Sequence, residues 1–159
     1  MFGIDPGLVA TGYGVVERLG SRVTPLVWGV IRSGGRPLPD RLKIIYDKLR
    51  LILTESAPDL VCIEEVFSGR NPRSALLVGH ARGAAILAAA AGGYEVREFS
   101  ARTVKQAVVG RGAASKDQVS FMVSRLLNMN NVKIPRDAAD ALAVALCGLF
   151  KGPGISASS

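Results

Sequence analysis

At 159 residues with 48% hydrophobic side chains, the chain has the size and apolar content of one compact domain. Lys and Arg number 20 against 13 Asp and Glu, giving a net charge of +7, and 14 of the bases are Arg, whose planar fork suits phosphate; an anionic polymer is the expected partner, a generally basic surface the plainer reading. One His and two Cys are too few for a zinc cage, and the longest apolar stretch, residues 84–91, is far too short to cross a membrane.

Residues 2–5 read as a first strand and 6–11 as a turn. Residues 12–18 form a second strand, in which Tyr13, Val15 and Glu17 alternate with Gly14 and Val16, and 22–33 a third after Gly20-Ser21. Such short connections predict an antiparallel meander, since parallel neighbours need longer crossovers. Leu42, Ile45, Leu49, Ile52 and Leu53 recur at helical spacing over 38–56, and Pro58 ends that helix before the apolar strand 60–64. A second long helix over 74–91 carries a broad face of small and apolar residues, suited to close packing within or between subunits.

A strand at 94–99, a short helix over 103–108 and the glycine loop 109–112 follow. Ser115 and Gln118 make a capping box for a helix over 116–127, and after a turn-rich stretch the last helix spans about 137–149. The sequence thus predicts one α/β domain over 1–151 and a flexible tail over 152–159. Its sheet is mixed and five-stranded, three antiparallel strands then parallel additions, with helices on both faces. No basic region followed by an apolar segment opens the chain, and Cys62 and Cys147 sit in apolar runs, so buried thiols in a cytoplasmic protein are expected.

The chemistry-bearing residues are four carboxylates at three separated places: Asp5, Glu64, and Asp137 with Asp140. Two Mg²⁺ ions about 4 Å apart can activate a water and stabilise a leaving oxygen in phosphodiester cleavage, and a few converging carboxylates suffice to hold them. Asp5 closes a strand before Pro6-Gly7, which suits a metal ligand, while an Asx-type turn is the plainer reading. Alternation puts Leu60, Cys62 and Glu64 on one face and Glu65 on the other, so only one glutamate can face Asp5. Asp137 and Asp140 share a helix face; they read either as ligands or as capping and dipole partners, while Ala138, Ala139, Ala141 and Ala143 let that helix lie close to a neighbour.

Around these acids lie candidates for nucleic-acid contact. Phe67 reads as a base-stacking aromatic or a core residue, beside Arg70 and Arg73. Lys105, Arg111 and Lys116 flank a glycine loop where a phosphate backbone can approach. His80, in the alanine-rich helix, reads as structural or surface.

Taken in order, Gly3-Ile4-Asp5-Pro6-Gly7 with Thr11-Gly12-Tyr13-Gly14, Ile63-Glu64-Glu65-Val66-Phe67, Ser74-Ala75-Leu76, Ala81-Arg82-Gly83, Val104-Lys105-Gln106 with Val109-Gly110, and the run from Asp137 to Ala143 resemble the RuvC family of Holliday-junction resolvases. The resemblance implies a ribonuclease H-like fold and a homodimer that cuts four-way DNA junctions with two Mg²⁺ per subunit, Mn²⁺ as substitute. It implies metal-binding catalytic acids at Asp5, Glu64, Asp137 and Asp140, an aromatic near the junction centre at Phe67, and DNA-contacting lysines at Lys105 and Lys116. Lys116 is also the candidate for stabilising charge at the cut phosphate, and a RuvA-RuvB branch-migration complex is the implied partner. Glu65 stands where the family often has Gln. Competing readings are a ribonuclease H-like enzyme acting on structured RNA, a junction-binding module without catalysis, and an actin-like ATPase whose phosphate loop would be the Gly3–Gly14 turn.

Overall fold

Phe2 and Ile4 alternate with Gly3 and Asp5, so the first strand has one bulky apolar face and one almost bare, and each face gathers a different set of helices. The computed structural model describes residues 1–65 and 72–152. Its strands are β1 (Phe2–Asp5), β2 (Ala10–Leu19), β3 (Arg22–Arg32), β4 (Val61–Glu64) and β5 (Val96–Phe99), arranged β3-β2-β1-β4-β5. The first three are antiparallel; β4 joins β1 and β5 joins β4 in parallel. This is the expected sheet. The third strand runs through Pro25 because it is an edge strand and its register with β2 shifts between Val15 and Val16, a bulge that tolerates the missing N–H.

On the bulky face, α1 (Leu38–Ser56) and α2 (Pro72–Ala90) bury Ile45, Leu49, Leu53, Ala81, Ala85 and Ala88 against Phe2, Ile4, Val61 and Ile63. On the other, α3 (Ala101–Val109), α4 (Lys116–Leu126) and α5 (Arg136–Lys151) enclose Val16, Cys62, Val104, Val123, Leu142 and Leu146. The α5 helix lies directly on the sheet backbone. A Cβ at Gly3 would collide with the Ala141 carbonyl and stand 2.5 Å from the Ala145 nitrogen. One at Gly12 would run into the Asp137 carbonyl, and one at Gly14 would stand 2.6 Å from Leu142 Cδ2. Three strand glycines and an alanine-rich helix therefore form a close contact that larger residues at either side would push apart.

Element boundaries differ from the sequence reading by a few residues, for local reasons. The α3 helix starts at Ala101 because the Ser100 side chain caps the Thr103 N–H. β5 begins at Val96, two residues later than expected, where Tyr94 is drawn to α1 by its hydroxyl donating to the Leu53 carbonyl at 2.9 Å. Ala57, left-handed at φ 39°, closes α1 just before Pro58. Cys62 and Cys147 are free and buried, and burial pushes their thiols up to about 12 and about 11, so both stay protonated. Among the described residues no helix is long and apolar enough to cross a membrane. Phe67, Arg70 and the expected tail from 153 onward lie outside the described residues.

Candidate active site

Asp5 and Glu64 are the last residues of the parallel neighbours β1 and β4, whose register pairs Ile4 with Ile63. Alternation carries Asp5 with Gly3, and Glu64 with Cys62, onto the α5 side of the sheet. Glu65 turns away: it is exposed, its N–H donates to the Phe99 carbonyl at 2.9 Å, and its charge acts on Arg82. The turn after Asp5 is held from elsewhere. Buried Thr11 donates its hydroxyl to the Gly7 carbonyl at 2.7 Å and accepts from the Gly7 N–H at 3.4 Å, and buried Ser33 donates to the Leu8 carbonyl. The N–H that an Asx turn would offer to Asp5 thus goes to Thr11, leaving the Asp5 carboxyl for the site.

The other two acids come with α5. Its N-cap is Pro135, with no side-chain cap, so neither Asp137 nor Asp140 is spent on capping. The close contact across Gly3, Gly12 and Gly14 brings the start of α5 over the end of β1. The electrostatics register this convergence. The Asp5 carboxyl is pushed up to about 7, first by burial, then by the negative charges of Glu64, Asp140 and Asp137, with Lys116 opposing. Glu64 is also raised, by burial and Asp140, against Lys116, a hydrogen bond with Asp5, and Lys105. Lys116, set at the start of α4 by the Ser115–Gln118 capping box, places its Nζ 2.7 Å from Asp140 Oδ2. The pair combines a carboxylate 14% exposed with an ammonium 75% exposed. The Asp140 hydrogen bond raises the Lys116 pKa. A cavity of about 110 Å³ opens here between Glu64, Lys105, Lys116 and Asp140.

Carboxylate oxygens alone are the donor set a hard divalent cation takes. Among the described residues, no group of three or more His, Cys, Asp or Glu is drawn tightly enough to hold a metal ion as placed. Asp5 and Glu64 act on each other electrostatically, and Asp140 is turned to Lys116. The acids therefore converge without forming a closed cage, and the strongly raised Asp5 marks a concentration of negative charge that a cation would relieve. On that observation the residues fit a divalent metal.

Of the expected nucleic-acid contacts, Lys105 is half-buried beside Glu64, Arg111 is exposed in the loop after α3, and Arg73 is exposed in the first turn of α2. His80 lines a groove between α1 and α2. A larger cavity, of about 630 Å³, opens at the β2–β3 hairpin, the opposite end of the sheet from the acids. Sequence reading missed Arg102, whose signal is its place three residues before Lys105 on one helix face.

A mixed five-stranded sheet of this order, with acids at the ends of its two central parallel strands and on the helix laid across them, defines an α/β nuclease of the ribonuclease H-like class. The family model described as "Crossover junction endodeoxyribonuclease RuvC" matches residues 1–148. Relatives from several bacteria bear that same name. The one from Tolumonas auensis is 52% identical over 151 residues, 92% of this chain and 84% of the relative. The one from Alkaliphilus oremlandii is 48% identical over 153 residues, 96% and 93% of the two chains. A solved structure, T. thermophilus RuvC in complex with Holliday junction substrate, superposes with a TM-score of 0.87 at 35% identity, covering 94% of this chain and 92% of that one. The chain belongs to the RuvC family of crossover junction endodeoxyribonucleases, which are metal-dependent nucleases.

Proposed function

We infer that this chain resolves four-way DNA junctions by paired, symmetric nicks, hydrolysing one phosphodiester per subunit to leave 5′-phosphate ends. The observation that supports this most is the convergence of Asp5, Glu64, Asp137 and Asp140 beside Lys116 at one end of the sheet, in a family of junction endonucleases. The four carboxylates would hold two Mg²⁺, or Mn²⁺ in substitution, which together supply an activated water and a stabilised leaving oxygen. The protein's own contribution is to position. β1 and β4 fix Asp5 and Glu64 rigidly at strand ends, and α5 fixes the aspartates. Lys116, mostly exposed and paired with Asp140, offers positive charge to the scissile phosphate as charge builds there. Lys105, Arg111, Arg70 and Arg73 contact flanking phosphates, and Phe67 stacks near the junction centre.

A four-way junction presents two equivalent strands, so a two-fold dimer with one site per subunit matches its symmetry. The surface that suits self-association is the groove between α1 and α2. It holds about 450 Å³ between Leu42, Tyr46, His80 and Leu87, with Leu87 60% exposed. Nothing within 4 Å would meet a Cβ at Gly79 or Gly83. Small residues there allow a second helix to approach closely. The nuclease domain spans 1–151, works in the cytoplasm and is served by the RuvA-RuvB branch-migration complex.

The test is cleavage of an end-labelled synthetic four-way junction in Mg²⁺, with nicks mapped on all strands. Nicks at symmetric positions on one opposed pair of strands are expected. Junction-selective binding without cleavage would leave only a binding module, and cleavage of structured RNA in preference to the junction would move the substrate class.

A further inference from the structure

Beside the carboxylate site, α3 and the loop after it border a second, open hollow of about 490 Å³, lined by Arg102, Lys105, Gln106, Arg111 and Gly112 with Ala113. Its lining includes no carboxylate. Among the described residues, none of Arg102, Lys105 and Arg111 forms an ion pair. Lys105 lines both this hollow and the cavity that contains Glu64, Lys116 and Asp140, so the two adjoin.

The loop that borders the hollow is fastened to α3. Gly110 is left-handed at φ 85°, its N–H donates to the Gln106 carbonyl at 3.0 Å, and the Gln106 side chain donates back to the Gly110 carbonyl at 2.6 Å. Arg102 is braced by the same loop. A Cβ at Gly112 would stand 2.6 Å from Arg102 Cγ and 3.3 Å from its Nε, so the arginine stem lies in space that only a glycine leaves open. Such support reduces the freedom a long side chain loses on binding.

Resting on the proposed action on DNA, we propose that Arg102, braced by Gly112, is the fork of a phosphate-holding subsite completed by Lys105 and Arg111. It grips a phosphodiester neighbouring the scissile one on the strand being cut. Three cations that form no ion pair among the described residues, around a hollow whose lining has no carboxylate, suit one anionic group, and the shared Lys105 leads the strand from that hollow to the acids.

The experiment measures binding of the full chain to a synthetic four-way junction in Ca²⁺ over a series of salt concentrations, then cutting in Mg²⁺ at saturating protein. For Arg102→Ala the expected result is at least tenfold weaker binding, with the slope of log K against log salt shallower by about 0.9, because one phosphate fewer is neutralised. Its saturated cutting rate falls less than threefold. Arg102→Lys keeps the slope and recovers only part of the affinity. Gly112→Ala, shown folded by circular dichroism, weakens binding in the same direction as Arg102→Ala. An unchanged slope for Arg102→Ala, a loss confined to its saturated rate, or wild-type binding by Gly112→Ala overturns the assignment. A wild-type chain that ignores junctions sinks instead the reading of function on which this rests.

Discussion

Replacing Asp5 by Asn is expected to abolish cutting and yet stabilise the metal-free protein. In the fold, burial and the surrounding acids lift this carboxyl from its ordinary 3.8 to about 7. Below pH 3.8 it is protonated folded or unfolded and costs nothing. Between 3.8 and 7 the folded state keeps a proton that the unfolded state has lost, so stability falls as pH rises through that window, and the full cost remains above it. A rise of that size corresponds to about 4 kcal/mol at pH 8 and to less than about 2 kcal/mol at pH 5. Screening at the half-open site halves the first figure to about 2 kcal/mol, which for a domain of this length is roughly 4–8 °C in Tm.

Asn preserves the shape and can hydrogen-bond Glu64 without the charge. Thermal unfolding followed by circular dichroism in EDTA should place Asp5→Asn above wild type at pH 8, with the gap narrowing towards pH 5. Adding Mg²⁺ should raise the wild-type Tm more than that of the variant, because a cation bound only by the folded state stabilises it. A variant no more stable than wild type at pH 8, or a gap that widens on acidification, would refute the reasoning.

Lys116→Ala should cut saturated junction on the order of 10²-fold more slowly, a loss typical of removing one preorganised charge at a developing anion. Weak binding with a normal saturated rate would place this lysine in recognition instead. Gly3→Ala, whose new Cβ would meet Ala141 and Ala145 of α5, should cost about 3 kcal/mol or more, read from urea unfolding, and should lower cutting by lifting Asp137 and Asp140 off β1. Full activity in that variant would mean that α5 does not set the site. Leu87→Glu should yield a monomer by analytical ultracentrifugation, with junctions nicked on one strand at a time; an intact dimer would remove the α1–α2 groove from the interface.

The strands were readable because their neighbours are short turns and their faces alternate; where the reading slipped, a tertiary contact had intervened. Tyr94 looks like strand, but its hydroxyl reaches Leu53 and the ladder starts two residues later. The third strand reads correctly through Pro25, and the edge position with a bulge shows why the proline is tolerated there. In the site, alternation showed that only one of Glu64 and Glu65 can face Asp5, and the resemblance pointed to Glu64. Spacing left open whether Asp137 and Asp140 were ligands or caps, since two aspartates three apart at a helix start suit either role. Pro135 as N-cap removes the side-chain capping reading, and the glycine contact beneath α5 brings both aspartates towards β1; both are properties of the packed structure. Arg102 was passed over for a similar reason: an exposed arginine is ordinary in sequence, and its brace against Gly112 exists only in the fold.

The central claim is that four carboxylates from β1, β4 and α5 act as one catalytic unit. The most direct measurement is single-turnover junction cleavage in Mg²⁺ by Asp5→Asn, Asp140→Asn and the double variant, each shown by gel shift to bind the junction. Groups acting together should lose about as much singly as jointly, so each variant should fall by on the order of 10³-fold or more and the double variant little further. Losses that multiply, or a single variant that keeps near-normal cutting, would contradict a shared site.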